Sequence, residues 1–103
     1  MDINVDKEGF LRDLSDWDES VACELAALED IELSATHWDI IKIVRQYYQQ
    51  YGLSPVNRVF AKIIAQELGK DKGKSIYLMQ LFSAKPAKIA CKIAGLPKPP
   101  NCD

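Results

Sequence analysis

The sequence predicts a mainly α fold: a small orthogonal bundle of about five helices, with a short N-terminal β-hairpin and a mobile C-terminal arm. Three observations carry this. Cap and stop residues frame successive apolar stripes at helical spacing from Asp16 to Gly95, strand-type alternation is confined to residues 3–12, and prolines crowd the segment after Gly95. At 103 residues the chain has the length of one domain. It divides at Gly95 into a helical domain, residues 1–95, and a Pro-rich arm, residues 96–103.

Ile3 to Arg12 alternate weakly around Gly9, which reads as the hairpin. Asp16 or Asp18 can cap a first helix in which Val21, Ala22, Leu25, Ala26 and Leu28 follow helical spacing to about Glu29, with acids in the first turn suiting the helix dipole. Ser34 or Thr36 caps the longest helix, Asp39 stands in capping-box position after Thr36, and Gly52 stops it. Trp38, Ile41, Val44, Tyr48 and Tyr51 form its stripe, and Ile40, Ile43 and Tyr47 widen that stripe into nearly all-round hydrophobicity, marking this helix as the central one. Ser54-Pro55 reads as an N-cap followed by proline at the first helical position, opening a third helix that runs to Gly69. A lysine-rich loop then leads to a helix over about Ser75 to Phe82, and Pro86 opens a last one that closes at Gly95.

Charge is divided along the chain. Residues 1–36 carry eleven acids against Lys7 and Arg12, and residues 37–103 carry eleven Lys and Arg against four acids. Such a split serves either internal complementarity between neighbouring helices or a basic docking surface. No apolar run approaches the roughly 20 residues of a membrane span, and the N-terminus lacks the basic and apolar regions of a signal peptide, so the expected location is cytoplasmic. With one histidine, His37, and three cysteines in no close pair, no metal site is expected. No nucleotide-binding glycine pattern or other cofactor motif is present either. His37 reads as a helix-end or packing residue.

The remaining chemistry is in the cysteines. Cys102 stands at the tip of the expected arm, where an exposed thiol is a liability unless it is used. Cys91 lies in the last helix with ten residues between the two. At roughly 3.3 Å per extended residue that spacing lets the arm turn back to it. The helix end opposes a thiolate at Cys91, whereas Lys88 and Lys92 favour one. Cys23 reads as a packing residue of the first helix. The pair is not a CxxC redox motif. It permits a carrier in which Cys102 accepts sulfur and Cys91 resolves the product, since thiol exchange needs only a nucleophilic sulfur, a leaving sulfur and access.

The segments His37-Trp38-Asp39-Ile40-Ile41, Arg45-Gln46-Tyr47-Tyr48, Ser54-Pro55 with Arg58, Lys72 to Leu78, Leu81-Phe82, Pro86-Ala87-Lys88 and Ala94 to Pro99 with penultimate Cys102 closely resemble the DsrC/TusE family of sulfur-relay proteins. The resemblance runs from about Phe10 to Cys102. It implies a helical bundle with an N-terminal hairpin and a persulfide on Cys102. Members resembling DsrC, the partner of dissimilatory sulfite reductase, have the second cysteine, whereas members of the TusE-type tRNA-thiolation relay usually lack it. Cys91 therefore places the chain on the DsrC side, with sulfur ending bridged between Cys102 and Cys91. The implied activity is that of a sulfurtransferase-type carrier or co-substrate rather than a stand-alone enzyme. The implied partners are a sulfite reductase or sulfurtransferase donor and a membrane-linked or heterodisulfide-reductase-like reductant, met by a protein that is a monomer when alone. Arg58, Lys88 and Lys98 flank the arm as candidate partner-binding residues.

Three departures from the family pattern stand out: a short N-terminus that trims the expected hairpin, Ser83-Ala84-Lys85 in the loop before Pro86, and a charged Asp103 beside the carrier thiol. A competing reading takes Ser54 to Leu81 as a helix-turn-helix DNA-binding module in the basic half. Its would-be recognition helix offers few base-reading side chains.

Overall fold

A computed structural model describes residues 3–100, leaving Met1, Asp2 and Asn101 to Asp103 outside the described residues. Within that range five α-helices follow one another: α1 (Glu19–Leu28), α2 (Ala35–Tyr51), α3 (Asn57–Leu68), α4 (Ser75–Phe82) and α5 (Pro86–Ile93). Short 3-10 turns lie at Leu14–Asp16 and Lys70–Gly73.

The local caps explain most boundaries. Asp18 caps α1 through a 2.8 Å bond from the Val21 N–H. Gly52 ends α2 in the left-handed region, and Pro86 opens α5 at its first turn. Of the two candidate caps of α2, Ser34 is the one used, and the expected cap of α3 is replaced. At α2 the capping box pairs Ser34 with His37 rather than Thr36 with Asp39, because His37 Nδ1 accepts the Ser34 N–H at 3.0 Å. The other ring nitrogen, Nε2, then carries the proton and donates to the Leu81 carbonyl at 2.9 Å, and the ring packs edge-on against Phe82. His37 thus ties the start of α2 to the end of α4. At α3 the helix begins two residues after Pro55, with Val56 at the N-cap position and no side-chain cap. Ser54, buried, is committed elsewhere.

The expected N-terminal hairpin is not formed. Among the described residues the only β feature is a single antiparallel bridge between Val5 and Leu11. Phe10 and Leu11 are both buried, so two successive side chains turn inward where a strand would send them to opposite faces. The segment is instead a tight loop organised by Asp6, whose carboxylate accepts the N–H groups of Glu8 at 2.9 Å and Phe10 at 3.0 Å. Slight burial pushes the Asp6 carboxyl up, but those donors and the nearby Arg12 outweigh it and hold it below the ordinary value.

The helix at the centre is α5, not α2: each of α1, α2, α3 and α4 packs against it. Its inward positions are Ala87, Ala90, Cys91 and Ile93, followed by Ala94, all fully buried. Small side chains let four neighbours approach one short helix closely. Leu25, Ile40, Ile41, Val44, Phe60, Ile64, Leu78 and Phe82 close the core around it. The broad apolar surface of α2 is only partly covered, and Tyr51 stays exposed. Cys23 is also exposed, because α1 buries the face of Val21, Ala22, Leu25 and Ala26, leaving the intervening position outward.

Candidate functional site

The site grows from the C-terminal end of α5. Gly95 takes φ +74° and closes the helix with a paired turn: its own N–H meets the Lys92 carbonyl at 3.1 Å, and the Leu96 N–H meets the Cys91 carbonyl at 2.9 Å. The next two carbonyls are held by side chains from far away in sequence. Trp17 Nε1 donates to Ile93 O at 2.8 Å, and Arg45 Nη1 donates to Ala94 O at 2.6 Å. The Arg45 guanidinium also lies 3.9 Å from the centre of the Trp17 ring, a cation–π stack. Burial lowers the Arg45 pKa from its ordinary value, in a range where the group stays charged. The root of the arm is therefore clamped on both sides. Arg45→Met is expected to strip the Ala94 carbonyl of its donor and lower the unfolding free energy by about 1–3 kcal/mol, measured by urea denaturation with the helical circular dichroism of the native state unchanged.

Beyond Gly95 the chain does not leave the surface at once. Leu96 is 3% exposed and Pro99 is fully buried. Ser54 Oγ donates to the Pro97 carbonyl at 2.6 Å, which is where the missing α3 cap has gone. Lys98 Nζ meets Glu8 Oε1 at 3.2 Å, and Lys88 Nζ on α5 approaches the same oxygen at 3.8 Å. A swing about Gly95, as the proline-rich composition suggests, has to break these contacts. Glu8 can receive both cations because the Asp6 turn fixes its backbone.

Of the residues singled out in the sequence, Cys91 is buried on α5, one turn before the clamp. Cys102 lies outside the described residues. Lys88 and Lys98 are brought together through Glu8, whereas Arg58 stands apart, exposed on the first turn of α3. The two lysines expected to favour a thiolate at Cys91 are both engaged by carboxylates, Lys88 by Glu8 and Lys92 by Glu29 at 2.9 Å. The long-range ion pairs therefore join the acidic N-terminal third to the basic remainder, realising the internal complementarity implied by the charge split. Trp17, Arg45, Ser54 and Glu8 carry roles that local pattern did not assign. The one usable signal was Arg45, a cation set inside the apolar register of α2.

With this geometry in place, comparison with known proteins decides the family. A family model described as DsrC like protein matches residues 1–102. The chain belongs to the DsrC-like family. Among its DsrC-like relatives, sulfurtransferase TusE of Photorhabdus laumondii is 46% identical, with 98% of this chain and 91% of that one covered. The solution structure of Allochromatium vinosum DsrC is 48% identical with a TM-score of 0.87, covering 96% of this chain and 88% of that chain. The oxidised γ-subunit of dissimilatory sulfite reductase (DsrC) from Archaeoglobus fulgidus is 40% identical with a TM-score of 0.82, covering 98% and 92%. The DsrC-like match spans the clamp, the packed arm root and both Cys91 and Cys102.

Proposed function

We propose that this chain is a sulfur-relay carrier that loads sulfur on Cys102 as a persulfide and resolves it with Cys91. The observation that carries the reading is the family match through residue 102, which includes both thiols, together with relatives named as TusE sulfurtransferases and DsrC proteins. In the loading step the Cys102 thiolate attacks the outer sulfur of a donor persulfide, forming a new persulfide and releasing the donor thiolate. In the resolving step the Cys91 thiolate attacks the inner sulfur of that persulfide, the disulfide forms and hydrosulfide leaves. When the arriving sulfur is instead that of sulfite reduced by one electron pair, both thiols attack it in turn, its two S–O bonds break with the oxygens leaving as water, and the sulfur remains between the cysteines as a trisulfide. No metal or organic cofactor enters these steps.

The partner in this reading is a sulfite reductase or a related sulfur-oxidation system, with a membrane-linked or heterodisulfide-reductase-like protein reducing the bridged product. The carrier acts in the cytoplasm as a monomer between encounters. No helix among the described residues is long and apolar enough to cross a membrane. Residues 96–103 work as the arm, and Arg58, exposed, serves as a docking cation together with Lys88 and Lys98 once Glu8 releases them. The outer face of α4 presents the apolar Ile76 and Met79 beside Ser75 and Gln80, and α4 itself carries no lysine or arginine for a phosphate backbone, which favours a protein partner over DNA.

A second reading rests on the curated relatives, among which the Photorhabdus and Haemophilus influenzae proteins, 46% and 47% identical, are named for TusE. In a TusE-type relay for tRNA thiolation, Cys102 would hand its persulfide onward and Cys91 would stand idle. Incubation of the reduced protein with a persulfide donor tests the shared core of both readings. Intact-mass analysis should show either the gain of one sulfur atom mapped to Cys102 or, where Cys91 has resolved it, a Cys102–Cys91 disulfide with the loss of two hydrogens. A protein that shows neither, or gains sulfur only on Cys23, would overturn them.

A further inference from the structure

We propose that the groove between α3 and α4 is a docking site for an acidic amphipathic helix carried by a partner protein. The proposal rests on the carrier reading and deepens it by naming the chemistry of the partner surface that the carrier meets. Phe60 and Leu78 form the buried floor of the groove, and Met79, Ala84 and Pro86 stand along it. Ile76, one turn before Met79 on α4, extends the apolar lip. It is 70% exposed, and Met79 is 44% exposed. The groove holds about 200 Å³, below the roughly 300–1,000 Å³ of a small-molecule pocket, so it suits the anchor side chains of a macromolecule.

Charge selects the occupant. Arg58, Lys74 and Lys85 adjoin the lining residues Asn57, Ser75 and Ala84 in turn, and all three cations are exposed. Arg58 and Lys85 have no carboxylate partner among the described residues. Asp71, 3.7 Å from Lys74, is the one acid in the sequence between Leu68 and Pro100, and Glu67 lies on the other side of α3, towards α2. Cations around an apolar lip match a segment whose apolar stripe is flanked by carboxylates.

Backbone geometry decides the form of that segment. Strand addition needs a free sheet edge, and among the described residues the only β feature is the Val5–Leu11 bridge. A polyproline segment needs exposed aromatic walls, whereas Phe60 here is fully buried and the accessible lip is Met79 and Ile76. A helix laid in the groove is the mode that remains, and the adaptable Met79 thioether suits its anchors. The end wall is preset. Ser83 stands at φ +70° and ψ −164°, a region that glycine fills and other residues enter only under strain, and it turns the chain so that Ala84 and Pro86 line the groove. Strain of this kind clusters where a fixed shape is used in binding.

A fluorescein-labelled synthetic helix, with leucine at i, i+3 and i+7 and glutamate on both flanks, is titrated with the reduced full-length protein and followed by fluorescence anisotropy. The titration involves no sulfur transfer, so failure of sulfur loading is distinguishable from failure of this proposal. Saturable binding is expected, and it should be lost when the peptide's leucines become serine or its glutamates become lysine. Met79→Glu is expected to lower the affinity at least tenfold and Ile76→Ser about threefold, both at exposed positions where the helical circular dichroism should match the parent's. Arg58→Gln and Lys85→Gln should each lower it about twofold to threefold, an effect that vanishes at high salt, whereas Lys42→Gln, at an exposed cation on α2, should lower it not at all. Absence of saturable binding, parent-like affinity in both Met79→Glu and Ile76→Ser, or a loss in Lys42→Gln equal to that in Lys85→Gln would overturn the proposal. A Met79-dependent dimer in sedimentation equilibrium would do so too, by assigning the groove to a second copy of the chain.

Discussion

Replacing Gly95 with alanine is expected to destabilise the protein by about 3 kcal/mol or more, seen as a lower urea midpoint at unchanged slope. Two causes add. At φ +74° an L side chain is strained by about 1–2 kcal/mol. A Cβ built there would also lie 2.7 Å from Trp17 Cγ and 2.9 Å from Trp17 Cβ. Trp17 cannot yield without dropping its bond to Ile93 O and unstacking Arg45, so relief of the clash dismantles the clamp. Gly52→Ala is the internal control. Gly52 has nearly the same φ, +72°, but nothing within 4 Å, so only the same backbone strain of about 1–2 kcal/mol should appear. Equal losses at the two glycines would show that contact with Trp17 contributes nothing.

The other large effect concerns the two thiols. Cys102→Ala should abolish sulfur loading, because the thiol carried by the arm is the one that meets the donor. Cys91→Ala should load normally and form no internal disulfide or trisulfide, leaving a persulfide that small thiols strip readily. The comparison is fair to the fold, since Cys91→Ala removes one buried sulfur at a cost of about 1 kcal/mol. Intact-mass analysis after incubation with a persulfide donor, then with excess glutathione, separates the outcomes. Loading that survives in Cys102→Ala would reverse the roles of carrier and resolver. Equal persulfide gain in Cys91→Ala and in the parent, with no internal disulfide in the parent, would favour the TusE-type reading.

What the sequence made legible was local. Asp18, Gly52 and Pro86 act on backbone groups within a turn of themselves, so their residue type announces their role. Ser54 shows where this fails: as a Ser-Pro pair it looks like a cap, but its hydroxyl bonds Pro97, 43 residues away. Trp17 and Arg45 reach across 76 and 49 residues to the end of α5, and nothing in their neighbourhoods reports those distances. Cys23 was misplaced because α1 is rich in small apolar residues on every side, so spacing alone does not choose the buried face. The centrality of α5 was hidden for the opposite reason. Its inward residues are mostly small, and a hydropathy pattern ranks the aromatic-rich α2 above it. The alternation over residues 3–12 and the family resemblance both pointed to a hairpin, of which only the Val5–Leu11 bridge forms among the described residues.

The packing of α5 bears on how such relays diversify. Cys91 occupies one slot in a row otherwise filled by Ala87, Ala90 and Ala94, at the point where four helices crowd a fifth. Alanine and cysteine differ there by a single sulfur atom, so exchanging them changes stability by only about 1 kcal/mol. A lineage can therefore acquire or discard its second thiol in a single substitution, passing between one-thiol and two-thiol chemistry without crossing an unstable intermediate.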